Sequence, residues 1–187
     1  MSVVIFLHGR GQGPETVKAV ALAFRDARLL TPTGGIELRQ GHTWFENVRT
    51  GVAKAESVQI AEMRLLCWIG EQRGLDEIWL CGFSNGGALA GHMLTHHPDR
   101  FRGAMLFAAP LVLPPWPAGA LRGKNVFYAH GDATDTIVEP DFYESAEAYL
   151  TGPSKSKSTI RRYPVGHAIT AEMIEEGRDW FLSQNAE

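Results

Sequence analysis

Ser84 lies in a sequence context that suits a catalytic nucleophile. Gly82 and Gly86 stand two residues to either side of it, which gives the pattern G-x-S-x-G. A sharp strand-to-helix turn holds a serine in a strained conformation, and neighbours without side chains let strand and helix cross closely. The first N–H groups of the helix would then face a developing oxyanion. The pattern also arises by chance, so partner residues have to decide its meaning.

Two acids and one histidine are candidate partners of this serine. Asp132 and Asp135 follow the apolar run at residues 125–129, and His167 follows the run at residues 158–163. Each run is typical of a strand, and the carboxyl ends of parallel strands meet at one edge of a sheet. We therefore expect the serine, the acids and the histidine to converge on that edge.

A glycine-rich loop, His-Gly-Arg-Gly-Gln-Gly at residues 8–13, follows a strand pattern at residues 2–7. Such a loop could cradle a phosphate, but its spacing matches neither G-x-G-x-x-G nor G-x-x-x-x-G-K-S/T. Glycines also let backbone N–H groups approach a ligand oxygen closely, as an oxyanion hole requires. We favour this second interpretation.

Strand patterns alternate with helical patterns along the whole chain. Short apolar runs predict strands, and apolar residues at helical spacing predict helices. The predicted strands are residues 2–7, 29–31, 78–81, 103–109, 125–129 and 158–163, and the predicted helices begin at Pro14 or span residues 53–72, 88–97, 141–151 and 170–184. This alternation predicts an α/β fold with a mostly parallel, doubly wound sheet of about six strands and helices on both faces.

Two segments between these elements are candidates for the wall of a substrate pocket. Within the long glycine-punctuated stretch at residues 33–52, Trp44 and Phe45 are adjacent aromatics that cannot both face the core of a regular element. Residues 110–117 contain four prolines, which forbid a helix, together with Trp116. We expect Trp44, Phe45 and Trp116 to line an apolar pocket, with capping of the sheet edge as the alternative for the aromatic pair.

The composition restricts the class of protein. A chain of 187 residues with 44% hydrophobic residues predicts one globular domain spanning residues 1–187. A net charge of −3 argues against binding to nucleic acid or an anionic membrane surface. The apolar run at residues 3–7 is too short for a signal peptide or a membrane span, which predicts a cytoplasmic protein without stable membrane insertion. Cys67 and Cys81 are expected to be reduced core residues.

The other histidines have structural explanations. His92 and His96 are four residues apart on a predicted helix. Without a carboxylate or cysteine at ligand spacing, solvated or helix-end side chains are favoured over a metal site. His8 and His130 each precede a glycine at a strand end and are expected to brace loops, and His42 is expected to be exposed.

Five segments, spread over nearly the whole chain, together match the pattern of a known family. They are Leu7-His8-Gly9-Arg10-Gly11, Trp44-Phe45, Gly82-Phe83-Ser84-Asn85-Gly86-Gly87, His130-Gly131 with Asp135 and Val138, and Gly166-His167. Through them the sequence resembles the phospholipase/carboxylesterase family of the α/β-hydrolase fold, which includes acyl-protein thioesterase-like enzymes. The chain order serine, aspartate, histidine is also that of α/β-hydrolases.

Carried over position by position, the resemblance implies a role for each site residue. Ser84 is the implied nucleophile, His167 the general base and Asp135 the acid that orients it. The backbone N–H groups of Arg10 and Asn85 are the implied oxyanion hole. The implied reaction is cleavage of a carboxylic ester or thioester through an acyl-enzyme, with no metal or cofactor.

Two features depart from the family pattern. The family usually leads with a hairpin before the first strand, whereas here that strand begins at residue 2, which predicts a trimmed fold. The family's acid stands three residues after the glycine of His-Gly, where this chain has Thr134. Asp135 fits if the loop is one residue longer, and Asp132 is the alternative acid.

Other functions are compatible with the same pattern. The expected partner is a small-molecule ester or thioester, and the sequence specifies no oligomeric state. A lactone or small amide could be cleaved by the same triad, and a noncatalytic binding protein could use the same fold, because a fold does not establish chemistry. The complete set of serine, acid and histidine favours an enzyme over the binding protein.

Overall fold

The computed structural model describes residues 2–17, 20, 23–132 and 135–185 of the chain. In chain order the strands are β1 (Ser2–Leu7), β2 (Arg28–Leu30), β3 (Ile36–Glu37), β4 (His42–Thr43), β5 (Asn47–Arg49), β6 (Val52–Ala53), β7 (Glu77–Phe83), β8 (Gly103–Phe107), β9 (Asn125–Gly131) and β10 (Lys157–Tyr163). The α-helices of the described residues are α1 (Ala55–Glu71), α2 (Asn85–His96), α3 (Pro140–Thr151) and α4 (Ala171–Gln184).

Six of these strands form one sheet in the order β10-β9-β8-β7-β1-β2. Every neighbouring pair in it is parallel. The prediction of an α/β fold with a mostly parallel sheet of about six strands is therefore confirmed. The strand order reverses between β1 and β7, and in open α/β sheets ligands bind in the crevice at such a reversal, outside the carboxyl ends of the strands.

Apolar side chains cover both faces of this sheet. Because successive side chains of a strand point to opposite faces, Ile5 and Leu7 of β1 join one buried cluster and Val4 and Phe6 join the other. The first cluster contains buried residues of α1, α2 and α3, and the second contains those of α4. Helices therefore pack on both faces, and the sheet is fixed between them.

Residues 33–52, expected to be irregular, contain two short antiparallel ribbons. β3 pairs with β4, and β5 pairs with β6. Strands of two or three residues carry no detectable alternation, so the sequence could not reveal them. The N–H of Gly11 donates to the carbonyl of His42, and the N–H of His42 donates to the carbonyl of Gln12, both over 2.8 Å. His42 is thus half-buried rather than exposed, and the ribbon braces the glycine-rich loop.

The helix expected from Pro14 differs in the residues that are described. A 3₁₀ helix spans Pro14–Val17, and Val20 and Phe24 are buried as expected. Ala21, also expected on the buried stripe, lies outside the described residues. Among the helices that the structure describes, none combines the length and the apolar character needed to cross a membrane.

Two expectations about burial are wrong. Cys67 is exposed on α1, whereas Cys81 is buried in β7 as expected, and burial raises the pKa of its thiol. His92 is not solvated but 4% exposed, with its Nε2 atom 2.7 Å from Oε2 of Glu62. That contact joins α2 to α1. Periodicity alone did not show that this helix is buried on nearly every side.

Candidate active site

Ser84 occupies a tight turn between β7 and α2. Its backbone has φ 53° and ψ −119°, a combination that residues with a side chain rarely adopt. The N–H of Ser84 donates to the carbonyl of Phe107 over 2.9 Å, and the carbonyl of Ser84 accepts from the N–H of Ala88 over 2.8 Å. Hydrogen bonds on both sides therefore hold the strained residue between strand and helix.

The flanking glycines are required by close backbone contacts. A Cβ atom at Gly82 would lie 2.7 Å from backbone atoms of Gly86 and Gly87. A Cβ atom at Gly86 would lie 2.2 Å from the carbonyl oxygen of Leu7. Both separations are shorter than real carbon contacts, so a side chain at either position would force β7, α2 and β1 apart. The G-x-S-x-G spacing follows from this crossing.

Three side chains from different loops meet at this turn. Nε2 of His167 is 2.8 Å from Oγ of Ser84, and Nδ1 of His167 is 2.9 Å from Oδ2 of Asp135. Asp135 lies on the loop after β9, and His167 lies on the loop after β10. In this geometry Nδ1–H can donate to the carboxylate while Nε2 accepts the serine proton. The arrangement can therefore make Oγ of Ser84 a nucleophile.

The carboxylate of Asp135 is buried and well supplied with donors. Oδ1 accepts from the N–H groups of Ile137 at 2.8 Å and Val138 at 3.0 Å, and Oδ2 accepts from the hydroxyl of Tyr143 at 2.5 Å. Burial raises the pKa of Asp135, but these bonds and the one to His167 outweigh it and hold that pKa below its ordinary value. Asp135 is therefore ionised at neutral pH.

Asp132 shapes the start of the same loop. Its side chain is exposed, its N–H donates to the carbonyl of Tyr163 over 2.9 Å, and its carbonyl accepts from the N–H of Asp135 over 3.1 Å. Aspartate is favoured at the first position of a turn closed in this way. Thr134, which occupies the family's acid position, lies outside the described residues. Of the two acids left open by the sequence, Asp135 is the one that contacts His167.

Two backbone N–H groups lie beside Ser84 at the point where the strand order reverses. Arg10 follows β1 and Asn85 begins α2 after β7, and both residues line the cavity next to the serine. Neither N–H has a backbone acceptor among the described residues. An oxygen of a bound ligand could therefore accept from both.

Side chains that the sequence did not assign to the site tie these loops together. Oδ1 of Asn85 accepts from the hydroxyl of Thr43 at 2.8 Å and from the N–H of Trp44 at 2.9 Å. The indole N–H of Trp44 donates to the carbonyl of His8 at 2.8 Å, and Nε2 of His8 accepts from the N–H of Gly34 at 3.0 Å. Burial lowers the pKa of His8, so its neutral ring braces the loop, as expected.

A cavity of about 640 Å³ opens beside Ser84. Its apolar lining includes Phe45, Phe83, Pro110, Val112 and Val138, and its polar lining includes Arg10, Glu46, Asn47 and Arg49. This volume is typical of a small-molecule site. The serine hydroxyl is therefore reached through a space that is apolar on one side and charged on another.

Of the three aromatic residues expected in this cavity, only Phe45 lines it. An indole N–H needs an acceptor when it is buried, and each tryptophan finds one elsewhere. Trp44 donates to the glycine-rich loop. Trp116 donates to the carbonyl of Val112 at 2.9 Å and packs on the ring of Tyr149, with centroids 5.3 Å apart. The proline-rich segment therefore contributes Val112, rather than Trp116, to the cavity.

A family model described as phospholipase/carboxylesterase matches residues 1–183 of the chain. The protein belongs to the phospholipase/carboxylesterase family. It is therefore a hydrolase, and the site described above lies where the fold places its chemistry, at the carboxyl ends of the parallel strands.

Individual relatives agree with this assignment. MhqD of Bacillus subtilis (strain 168) is 24% identical over 186 residues, which cover 96% of this chain and 92% of MhqD. The crystal structure of a carboxylesterase from Mesorhizobium loti is 24% identical with a TM-score of 0.87, and the match covers 97% of this chain and 88% of that one. The Bacillus cereus carboxylesterase is 22% identical with a TM-score of 0.86 and the same coverage. These likenesses establish the α/β-hydrolase fold.

Proposed function

We propose that this phospholipase/carboxylesterase family member is a serine hydrolase that cleaves small-molecule carboxylic esters or thioesters through an acyl-enzyme. The proposal rests on the 2.8 Å contact between Oγ of Ser84 and Nε2 of His167, whose other ring nitrogen lies 2.9 Å from Asp135. A serine hydroxyl is a weak nucleophile unless an adjacent base removes its proton. Here the base and the acid that orients it stand together.

Acylation begins when Oγ of Ser84 attacks the carbonyl carbon of the substrate and its proton passes to Nε2 of His167. Negative charge develops on the carbonyl oxygen, which accepts from the N–H groups of Arg10 and Asn85. The ionised carboxylate of Asp135 stabilises the imidazolium. When the C–O or C–S bond breaks, the proton on Nε2 passes to the departing alcohol or thiol. The acyl group stays on Oγ.

Deacylation repeats these steps with water. A water molecule gives a proton to Nε2 of His167 while its oxygen attacks the acyl carbon, and the same N–H groups stabilise the second tetrahedral intermediate. Collapse of that intermediate breaks the bond to Ser84, and the proton on Nε2 returns to Oγ. The carboxylic acid leaves, and the enzyme is ready for another substrate.

A panel of p-nitrophenyl esters and acyl thioesters, assayed before and after treatment with a fluorophosphonate probe, tests this function. We expect ester or thioester hydrolysis that is lost in proportion to covalent labelling, because the probe acylates only an activated serine. Labelling together with hydrolysis of lactones or amides alone would give the site a different substrate. A chain that is neither labelled nor active on any of these substrates would fit a noncatalytic binding protein.

Within this panel we expect short and medium acyl chains to be the faster substrates. The cavity wall at Val112 belongs to a proline-rich segment that is tied down by Trp116 and by the bond from the N–H of Gly119 to the carbonyl of Pro153 at 2.7 Å. Prolines restrict the opening of such a segment. The kcat/KM values of butyryl, hexanoyl and palmitoyl esters, measured below their micelle concentrations, decide the point. Faster turnover of the palmitoyl ester would contradict a fixed wall.

Arg10→Ala is expected to retain substantial turnover, since the proposed role of Arg10 uses only its backbone N–H. Loss of a real oxyanion donor lowers kcat by roughly 10²- to 10³-fold. The comparison is made with Arg49→Ala, which removes the other exposed arginine of the cavity lining. A fall in kcat of that size in Arg10→Ala alone, with the melting temperature unchanged, would show that the guanidinium takes part.

A further inference from the structure

Tyr143 lies on α3 directly behind the acid of the proposed triad. Its hydroxyl donates to Oδ2 of Asp135 at 2.5 Å, and the same oxygen lies 2.9 Å from Nδ1 of His167. The phenol oxygen is itself 3.5 Å from that Nδ1 atom. Tyr143 is only 3% exposed, so the contact is shielded from solvent. One carboxylate oxygen therefore serves two donors, one of which is the proposed base.

The ring of Tyr143 is fixed by a second layer of contacts. It stacks on the ring of His130, with centroids 4.3 Å apart and 12° between the planes. The two ring nitrogens of His130 lie 2.5 Å from the carbonyl oxygen of Gly131 and 2.7 Å from Oε1 of Glu147. Arg162 is paired with Glu147 in turn. These contacts set the position of the phenol oxygen.

Tyr143 keeps its proton under the conditions in which the protein is folded. Burial and the hydrogen bond to Asp135 both raise the pKa of the phenol far above its ordinary value. The hydroxyl is thus a neutral donor to an ionised acceptor, which is the stronger kind of hydrogen bond.

We propose that Tyr143 is a positioning residue of the triad, which orients the carboxylate of Asp135 and limits how much of its charge acts on His167. This inference rests on the proposed function. Backbone N–H groups hold Oδ1, and Tyr143 holds Oδ2, so the plane of the carboxylate is set from both ends. A second donor on Oδ2 also withdraws negative charge from the bond to Nδ1, so the imidazolium is stabilised less strongly than it would be without Tyr143.

Other charged and titratable groups surround this pair. Those that contact Tyr143 directly or through His130 are Asp135, His167, His130, Tyr128, Glu147 and Arg162. A change of Tyr143 to phenylalanine keeps the ring that stacks on His130 and leaves all of these groups in place. Any change in the pH profile of that variant therefore reports the missing hydroxyl.

Tyr143→Phe is expected to lower kcat roughly 3- to 10-fold with KM within about twofold, because the carboxylate loses one of its fixed donors. The acid limb of the kcat/KM profile should move up by roughly half a pH unit, because the protonated ring of His167 is now stabilised more strongly. Tyr149→Phe is the matched control. Tyr149 is buried on the same helix and donates to the carbonyl of Pro117 at 2.9 Å, so it loses an equivalent bond away from the triad. Its kinetics and pH profile should be those of the wild type.

Replacement of Tyr143 by 3-fluorotyrosine tests the same inference with an effect of opposite sign and keeps the fold if the phenylalanine variant does not. The more acidic phenol is a stronger donor, so the acid limb should move to lower pH. Wild-type kinetics and pH profiles in both variants, measured while the wild type hydrolyses the ester, would overturn the role of Tyr143. An inactive wild type would overturn the proposed function instead.

Discussion

Ser84→Ala is expected to lower ester turnover by about 10⁴-fold or more and to abolish labelling by a fluorophosphonate. Oγ of Ser84 is the atom that forms the acyl bond, and without it His167 has no nucleophile to activate. The measurements are kcat/KM with p-nitrophenyl butyrate and the mass of the protein after exposure to the probe. Residual hydrolysis should come only from substrate binding and the oxyanion N–H groups.

The same variant should stay folded. Serine and alanine both carry a Cβ atom, so the strain at φ 53° is unchanged, and the backbone bonds of residue 84 to β8 and α2 remain. Ser154→Ala is the control, because Ser154 is fully buried and donates to the carbonyl of Leu150 at 2.9 Å. It should lose about 1 kcal/mol of stability and keep full activity. Most of the activity surviving in Ser84→Ala would remove the basis for a serine mechanism.

The main sheet could be predicted because each of its strands carries its own local signal. β7 and β9 are apolar on both faces, as strands between two helical layers must be, and helices alternate with them. The turn at Ser84 was equally visible, because the close crossing that excludes a side chain at Gly82 and Gly86 leaves a fixed spacing in the sequence. Both signals depend on neighbours along the chain.

The placement of the cavity aromatics could not be predicted, because it depends on acceptors far away in sequence. Trp44 turns toward His8, 36 residues earlier, and Asn85 reaches back 42 residues to Thr43. A pair of adjacent aromatics shows that one of them leaves the core of its element, but not which one. The available carbonyl of His8 decides in favour of Phe45 as the cavity residue.

Tyr143 was missed for a related reason. It lies at helical spacing with Ala146 and Leu150, and all three are buried. That pattern describes the core side of α3 and gives no reason to single out a hydroxyl. The only sequence signal is a tyrosine where a phenylalanine would pack equally well, eight residues after an acid.

Asp135→Asn is expected to lower turnover by roughly 10³- to 10⁴-fold at neutral pH, because the amide favours the wrong tautomer of His167. The amide can still accept from the N–H groups of Ile137 and Val138, so the loop should keep its shape. The pKa of Asp135 is lowered in the folded state, so its charge stabilises the fold above the unfolded-state pKa, and this is lost as the pH falls through the folded-state value. The melting temperature of the variant should therefore depend less on pH in the acid range.

Asp132→Asn separates the two acids of this loop. The side chain of Asp132 is exposed, and its backbone forms the turn that presents Asp135 to His167. An amide can serve in such a turn, so we expect turnover within a fewfold of the wild type and a loss of stability of up to about 1 kcal/mol. The reverse pattern, with Asp132→Asn inactive and Asp135→Asn active but less stable, would mean that the loop rearranges when substrate binds. The residue by which this loop exceeds the family's count would then follow the catalytic acid instead of preceding it.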